Sequence, residues 1–198
     1  MDILLLGAEY DQAALARDPA QYAADHVLTL AGAGKTPWTN GAANPVSDID
    51  PARETIRSTI GRYPNTLIMG PAAFNAAKNS PLVIEKIKYT SSASITADML
   101  ASQRNLKRVV VGEADYANDQ DVMVDVWGAD AILAYLPEGG PSIHTPSYGY
   151  TYVLDGNPFV EVAQFEAKIK SWLYPTTYER NLAMVGPGAG FLLRNVAG

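Results

Sequence analysis

The chain has 198 residues, 47% of them hydrophobic, and a formal net charge of −6 from 15 basic and 21 acidic side chains. That length can bury one large domain or two small lobes, and an acidic surface repels nucleic acid and anionic membrane. Cysteine is absent, which excludes disulfides, thiol catalysis and cysteine metal sites.

No apolar run reaches the roughly 18 residues needed to span a bilayer, and Met1-Asp2 places an acid where a secretion signal has Lys or Arg. The sequence thus predicts a soluble protein made in the cytoplasm. Residues 2–17 predict a helix ending before Pro19, with Leu4, Ala8 and Leu15 on one face. Its ILLLGA run could also open a dinucleotide-binding unit. That motif needs Gly-x-Gly-x-x-Gly, and here Gly7 is followed by Ala8, Glu9, Tyr10, Asp11 and Gln12. After a strand from Val27 to Leu30, Gly34-Lys35-Thr36 matches the end of a phosphate-binding loop. Thr29 stands where that pattern needs Gly, and Pro37 forbids the helix that must follow. The stretch GKTPWTNGAANPVSD reads as a surface loop, with Trp38 folding back onto a neighbouring element or subunit.

A helix is predicted from Pro51 to Ile60, with Asp50 as N-cap, Gly61 as the left-handed stop, and Ala52, Ile56 and Ile60 as its apolar stripe. Tyr63-Pro64-Asn65 is a turn, and Thr66 to Met69 is a short apolar run of the kind buried on both faces. Pro71 opens a helix to Lys78, and Ser80-Pro81 opens a second through Ile87, with Ser80 as its N-cap. Thr90 to Ser94 is a polar break. Thr96 caps a helix from Ala97 to Gln103, and Asp98 lies in the first turn, where the dipole favours an acid.

Lys107 to Gly112 is a strand with a β-branched centre, and Glu113 to Asp121 reads as a polar loop. Asp115, Asp119 and Asp121 invite a calcium reading, but the Gly at the sixth position and the distal Glu are missing. Val122–Trp127 and Ala131–Leu136 are read as a hairpin turning at Gly128-Ala129-Asp130. With the strands near 66 and 108 and the four helices, this predicts an α+β lobe with a mixed sheet. From Pro141 the texture becomes extended: Ser147 to Tyr152 alternates, and Asp155-Gly156-Asn157-Pro158 is a turn. Val160, Val162, Phe165, Ile169 and Trp172 mix two periods, and a long β region runs to Met184. Gly186 to Gly190 then turns into a last strand at Phe191–Leu193, with no helix after the glycines to hold a phosphate.

No catalytic, cofactor or metal residues emerge. His26 and His144 are more than 100 positions apart, each without a neighbouring metal-ligand partner, and no Gly-x-Ser-x-Gly elbow occurs. Each histidine reads as a surface or satisfied polar residue. The tyrosines between Ser147 and Tyr152 read as core or subunit contact.

Taken in order, RYPNTLIMGPAAFNAAKNSP, IEKIKYT, ITADMLA, RVVVGEADY, VWGADAILAYLP, PSYGYTY and GAGFLLRN resemble the major capsid proteins of tailed bacteriophages over roughly residues 10–195. Their fold is the Hong Kong ninety-seven phage capsid fold, shared with encapsulin shells. The resemblance implies an α+β fold in three parts. Residues 1–47 are the spine helix and a strand of a peripheral domain, 48–150 an axial domain, and 151–198 the C-terminal strands of the peripheral domain. It implies copies that self-associate as pentamers and hexamers of an icosahedral head shell, in a phage or prophage virion assembled in the host cytoplasm. Scaffold, portal or decoration proteins are further implied partners. Enzymatic activity, cofactors, specific nucleic acid and membrane are not implied. Contacts near the ring axis are expected at Glu113, Asp115, Tyr116, Asn118 and Asp119. Full-length relatives carry an N-terminal arm and an extended loop, so this sequence reads as a shortened form that does not close a full shell, and the family's lysine–asparagine crosslink is not carried over. The alternative is a small α/β enzyme or ligand-binding protein using the cleft between lobes.

Overall fold

The structure, a computed structural model, describes residues 2–32, 34–87, 95–139 and 144–198. Helix α1 spans Asp2–Arg17, strand β1 Val27–Thr29 and helix α2 Pro45–Ile60. Strand β2 (Thr66–Met69) leads into α3 (Pro71–Asn79) and α4 (Pro81–Ile87), and α5 (Ala97–Gln103) into β3 (Arg108–Val111). Then come β4 (Asp115–Ala117), β5 (Met123–Asp125) and β6 (Ala131–Ala134). The C-terminal third holds β7 (Tyr150–Val153), β8 (Phe159–Val160), β9 (Gln164–Glu166), β10 (Ser171–Leu173), β11 (Thr176–Thr177), β12 (Arg180–Ala183) and β13 (Gly190–Arg194).

Five of these strands form one mixed sheet in the order β1-β13-β6-β2-β3. The outer pairs, β1 with β13 and β2 with β3, are parallel, and β6 runs antiparallel between β13 and β2. Alternate side chains enter two cores. Ala131 and Leu133 of β6, with Leu67, Met69 and Leu193, join the core containing Ile49, Ile56, Ala73 and Leu100 from the helices. Ile132 and Ala134, with Leu192, face Ala13 and Ala16 of α1 and Trp127, Tyr22 and Tyr148. The sheet is therefore covered on both faces, as apolar runs without polar alternation require. Each fully buried Leu or Ile contributes about 2 kcal/mol. Such residues come both from the sheet, as Leu67, Ile132, Leu133, Leu192 and Leu193, and from the helices, as Ile49, Ile56 and Leu100.

The helices are set by their caps. Thr96 Oγ1 accepts the Met99 N–H at 3.3 Å, and Gly61 closes α2 at φ 72°. Helix α2 begins earlier than predicted, at Pro45 with Asn44 as its cap, because Asn44-Pro45 offers the same cap-and-proline chemistry as Asp50-Pro51. Pro51 lies inside the helix, and only its bond to the Ser47 carbonyl is forgone. Ser80 does not cap α4 through its side chain. Its hydroxyl donates to the Ala43 carbonyl at 3.3 Å, while its carbonyl accepts from Val83 and Ile84.

The predicted hairpin between Val122–Trp127 and Ala131–Leu136 is not formed. β5 pairs back onto β4, inside what reads as a polar loop, and β6 pairs with β2 and β13. Gly128 does turn the chain, at φ 55°, but Asp130 is held by Arg17 and the Asn195 N–H, which directs β6 into the central sheet. Trp38 does fold back. It is 1% exposed, and its indole donates to Asp48 Oδ2 at 2.9 Å. The predicted break at 90–94 and the start of the extended region at Pro141 lie outside the described residues.

The long β region is a single two-stranded ribbon, nested as β7 on β12, β8 on β11 and β9 on β10. Its base lies against α1, where Arg180 pairs with Asp11 at 2.5 Å and Gln12 donates to Thr151 Oγ1 at 3.1 Å.

Candidate functional site

The residues expected to make subunit contacts are brought together on the β4–β5 hairpin. Asp115 and Tyr116 lie on β4, Asn118 and Asp119 in its turn, and Glu113 just before it. Asn118 builds the turn. Its Oδ1 accepts the N–H groups of Gln120 and Val122 at 2.9 and 3.0 Å, and its own N–H donates to the Val122 carbonyl. Asp121 occupies the left-handed region at φ 56°, which Asp tolerates better than most residues. Tyr116 packs edge-on to Tyr10 of α1 with ring centroids 5.0 Å apart, fixing the hairpin to that helix.

Residues 113–125 hold five carboxylates, those of Glu113, Asp115, Asp119, Asp121 and Asp125, and no basic side chain. Asp115 lies directly opposite Asp125 in the ladder, a like-charge cross-strand pair that opposes hairpin formation. Val122 and Met123 beside them are 55% and 59% exposed. Apolar surface is thus left open next to the hairpin's carboxylates. Among the described residues, no three His, Asp or Glu side chains come close enough to hold a metal ion, and Asp115, Asp119 and Asp121 form no such group.

A cavity of about 250 Å³ lies between α1, the sheet and the base of the ribbon, lined by Leu15, Ile68, Trp127, Tyr148, Leu182 and Met184 among others. Among the described residues its wall holds no Asp, Glu, His, Lys or Arg, and Tyr148 and Tyr150 are its ionisable side chains. Nearby, the Tyr22 and Tyr148 hydroxyls share a short hydrogen bond, and Tyr22 also donates to the Ala16 carbonyl at 2.6 Å. Burial pushes the Tyr148 hydroxyl up to about 12, and it pushes Tyr22 higher still, with Tyr148 adding to the effect. Neither tyrosine ionises near neutrality.

His26 is buried at 2% exposure and satisfied, with Nδ1 2.7 Å from the Gly190 carbonyl and Nε2 3.1 Å from Thr59 Oγ1. It joins the first residue of β13 to α2. His144 also has interaction partners. His26 is thus a satisfied structural residue.

Sequence reasoning missed the exposure of the apolar strip in β5 and of the outer ribbon. Phe165 and Trp172 make an edge-on pair 5.5 Å apart, yet are 54% and 59% exposed. The available signal was the mixed periodicity of residues 160–172, which fits neither a buried helix face nor a half-buried strand.

The sequence profile described as phage major capsid protein E matches residues 21–151. The chain is 37% identical over 188 residues to the major capsid protein of Burkholderia phage BcepMu, an alignment covering 93% of this chain and 60% of that protein. Among solved structures, it is similar to a phage-related protein from Bordetella bronchiseptica RB50, with a TM-score of 0.89 and 38% identity, covering 99% of this chain and 65% of the other. The chain thus spans less than two thirds of the length of either relative.

Proposed function

The chain belongs to the phage major capsid protein E family, and from that premise we propose that it is a structural tile of a phage or prophage head shell, without catalytic activity. The observation that carries this reading is the family match over residues 21–151, which takes in strands β1, β2, β3 and β6 of the sheet and all the helices packed between them. In this reading copies assemble into pentamers and hexamers of an icosahedral shell in the host cytoplasm, meeting scaffold, portal or decoration proteins as further partners. One repeated interface, closed into a ring, multiplies weak contacts.

The axial lobe is residues 48–150, completed by the pairing of β1 and β13 onto its sheet. The peripheral lobe is α1 with the ribbon from β7 to β12. Glu113, Asp115, Tyr116, Asn118 and Asp119 then contact neighbouring copies around the ring axis, with exposed Val122 and Met123 beside them. A net charge of −6 suits a wall that must not adhere to packaged nucleic acid. The alternative, a small α/β enzyme or ligand-binding protein, needs convergent charged groups in the cleft, and the described lining of the cavity holds tyrosines but no Asp, Glu, His, Lys or Arg.

Native mass spectrometry tests this reading. Rings of five or six copies that fall apart in Tyr116→Ala or Asn118→Ala support it. A chain that stays monomeric at every concentration and binds a nucleotide overturns it.

A further inference from the structure

Outside its base, the ribbon is left exposed by the described residues. Phe159, Val162, Phe165, Ile169, Trp172 and Tyr174 are 54% to 84% exposed, on a two-stranded structure that by itself is marginal in water. Both ribbon edges also carry unpaired backbone groups, a template for further pairing. With aromatic side chains of about 150–250 Å² each, the exposed outer half amounts to on the order of 800 Å², the scale of one partner's share of a standard interface.

The charges indicate what can cover it. Residues 159–174 contain Glu161 and Glu166 against Lys168 and Lys170, a balanced set within a chain of net charge −6. Residues 113–125 are uniformly acidic. The outer ribbon is thus a patch on which two copies of an acidic chain meet without net like-charge repulsion. Balanced acids and bases on one patch are also self-complementary, because the lysines of one copy can face the glutamates of another.

We propose, building on the self-association reading above, that the outer ribbon of residues 159–174 docks against the same ribbon of a second copy, as an interface separate from the β4–β5 hairpin. Trp172 reports on it directly. Trp38 and Trp127 are buried, at 1% and 8% exposure, so a change in indole emission on association comes from Trp172.

The test is sedimentation velocity over a concentration series on the full chain, with tryptophan emission recorded in parallel. Wild type should associate with a blue shift that Trp172→Phe abolishes. Trp172→Glu should weaken association at least tenfold, with unchanged far-UV circular dichroism. If Trp172→Glu fails to fold, the double charge reversal Lys168→Glu with Lys170→Glu probes the same patch from exposed positions and should weaken association likewise. Folded ribbon variants that associate like wild type overturn the ribbon interface, and if Tyr116→Ala alone dissociates the rings, the shell reading survives without it. A wild type that never associates overturns both. A blue shift that appears only with anionic lipid vesicles assigns the ribbon to a membrane and overturns the proposal.

Discussion

Arg17 at the end of α1 donates through Nε to Asp130 Oδ2 at 2.7 Å, and the other oxygen of that carboxylate accepts the Asn195 N–H at 2.8 Å. Arg17 also donates to the Val126 carbonyl at 3.0 Å. One buried carboxylate thus ties the first helix and the middle of the chain to the residue that follows its last strand. Removing Arg17 leaves Asp130, with its side chain 7% exposed, as a charge with one remaining donor. Arg17→Met should therefore cost about 2–4 kcal/mol. The double variant Arg17→Met with Asp130→Asn should recover part of that loss. Urea unfolding of the four members of the cycle measures the coupling, and strict additivity would show that the pair does not hold the segments together.

Two glycines are fixed by the bulk around them. A Cβ at Gly112 would lie 2.0 Å from Cδ1 of Trp127, and one at Gly70 would lie 2.1 Å from the Gly128 carbonyl oxygen. The Trp127 indole donates to Glu9 Oε1 at 2.8 Å and cannot swing aside without losing that bond to α1. Gly112→Ala and Gly70→Ala should each destabilise by about 3 kcal/mol or more. Gly41→Ala, where a Cβ meets nothing within 4 Å, should have little effect. Thermal melting of the three variants gives the ranking.

These constraints also show what could be read in advance. The Thr96 cap, the apolar run at Thr66 and the left-handed stop at Gly61 are local signals, and the structure reproduces them, whereas Ser80 turns its hydroxyl to Ala43 instead of capping α4. The start of α2 was obscured because Asn44-Pro45 and Asp50-Pro51 carry the same signature only six residues apart. The pairing of β6 with β13 joins residues 131–134 to residues 190–193, and nothing in either stretch encodes the other. Gly128-Ala129-Asp130 resembled a hairpin turn because the distant partners of Asp130, Arg17 and Asn195, are invisible in a local window. At the candidate contact site the acidic residues were legible. The β4–β5 pairing and its face-to-face Asp115 and Asp125 were not.

Alkaline pH should unfold the protein through its buried tyrosines. Burial raises both Tyr22 and Tyr148 above the ordinary value of 10.0, Tyr148 to about 12, so folding favours the neutral hydroxyls. Their contribution is complete below pH 10 and is lost as pH rises from there through about 12, by about 1.4 kcal/mol per pH unit for each group. Tyr22→Phe combined with Tyr148→Phe should flatten the decline in stability between pH 10 and 12, as followed by circular dichroism. An unchanged slope would assign alkaline unfolding to other groups.

The β4–β5 hairpin should respond to charge. Asp125→Lys converts the like-charge pair with Asp115 into an attractive one and should stabilise the hairpin by a few tenths of a kcal/mol to about 1 kcal/mol. Hydrogen exchange at the Val124 and Tyr116 amides would show slower opening, and added salt should narrow the difference from wild type. Faster exchange in Asp125→Lys would contradict the predicted repulsion.

Electron micrographs of the concentrated chain bear most directly on the proposal that it is built to repeat. Class averages should show rings with five-fold or six-fold symmetry, with the β4–β5 hairpin toward the centre and the ribbon at the rim. Single particles of one chain's size at every concentration, or one defined asymmetric complex with a small molecule in the cleft, would contradict it.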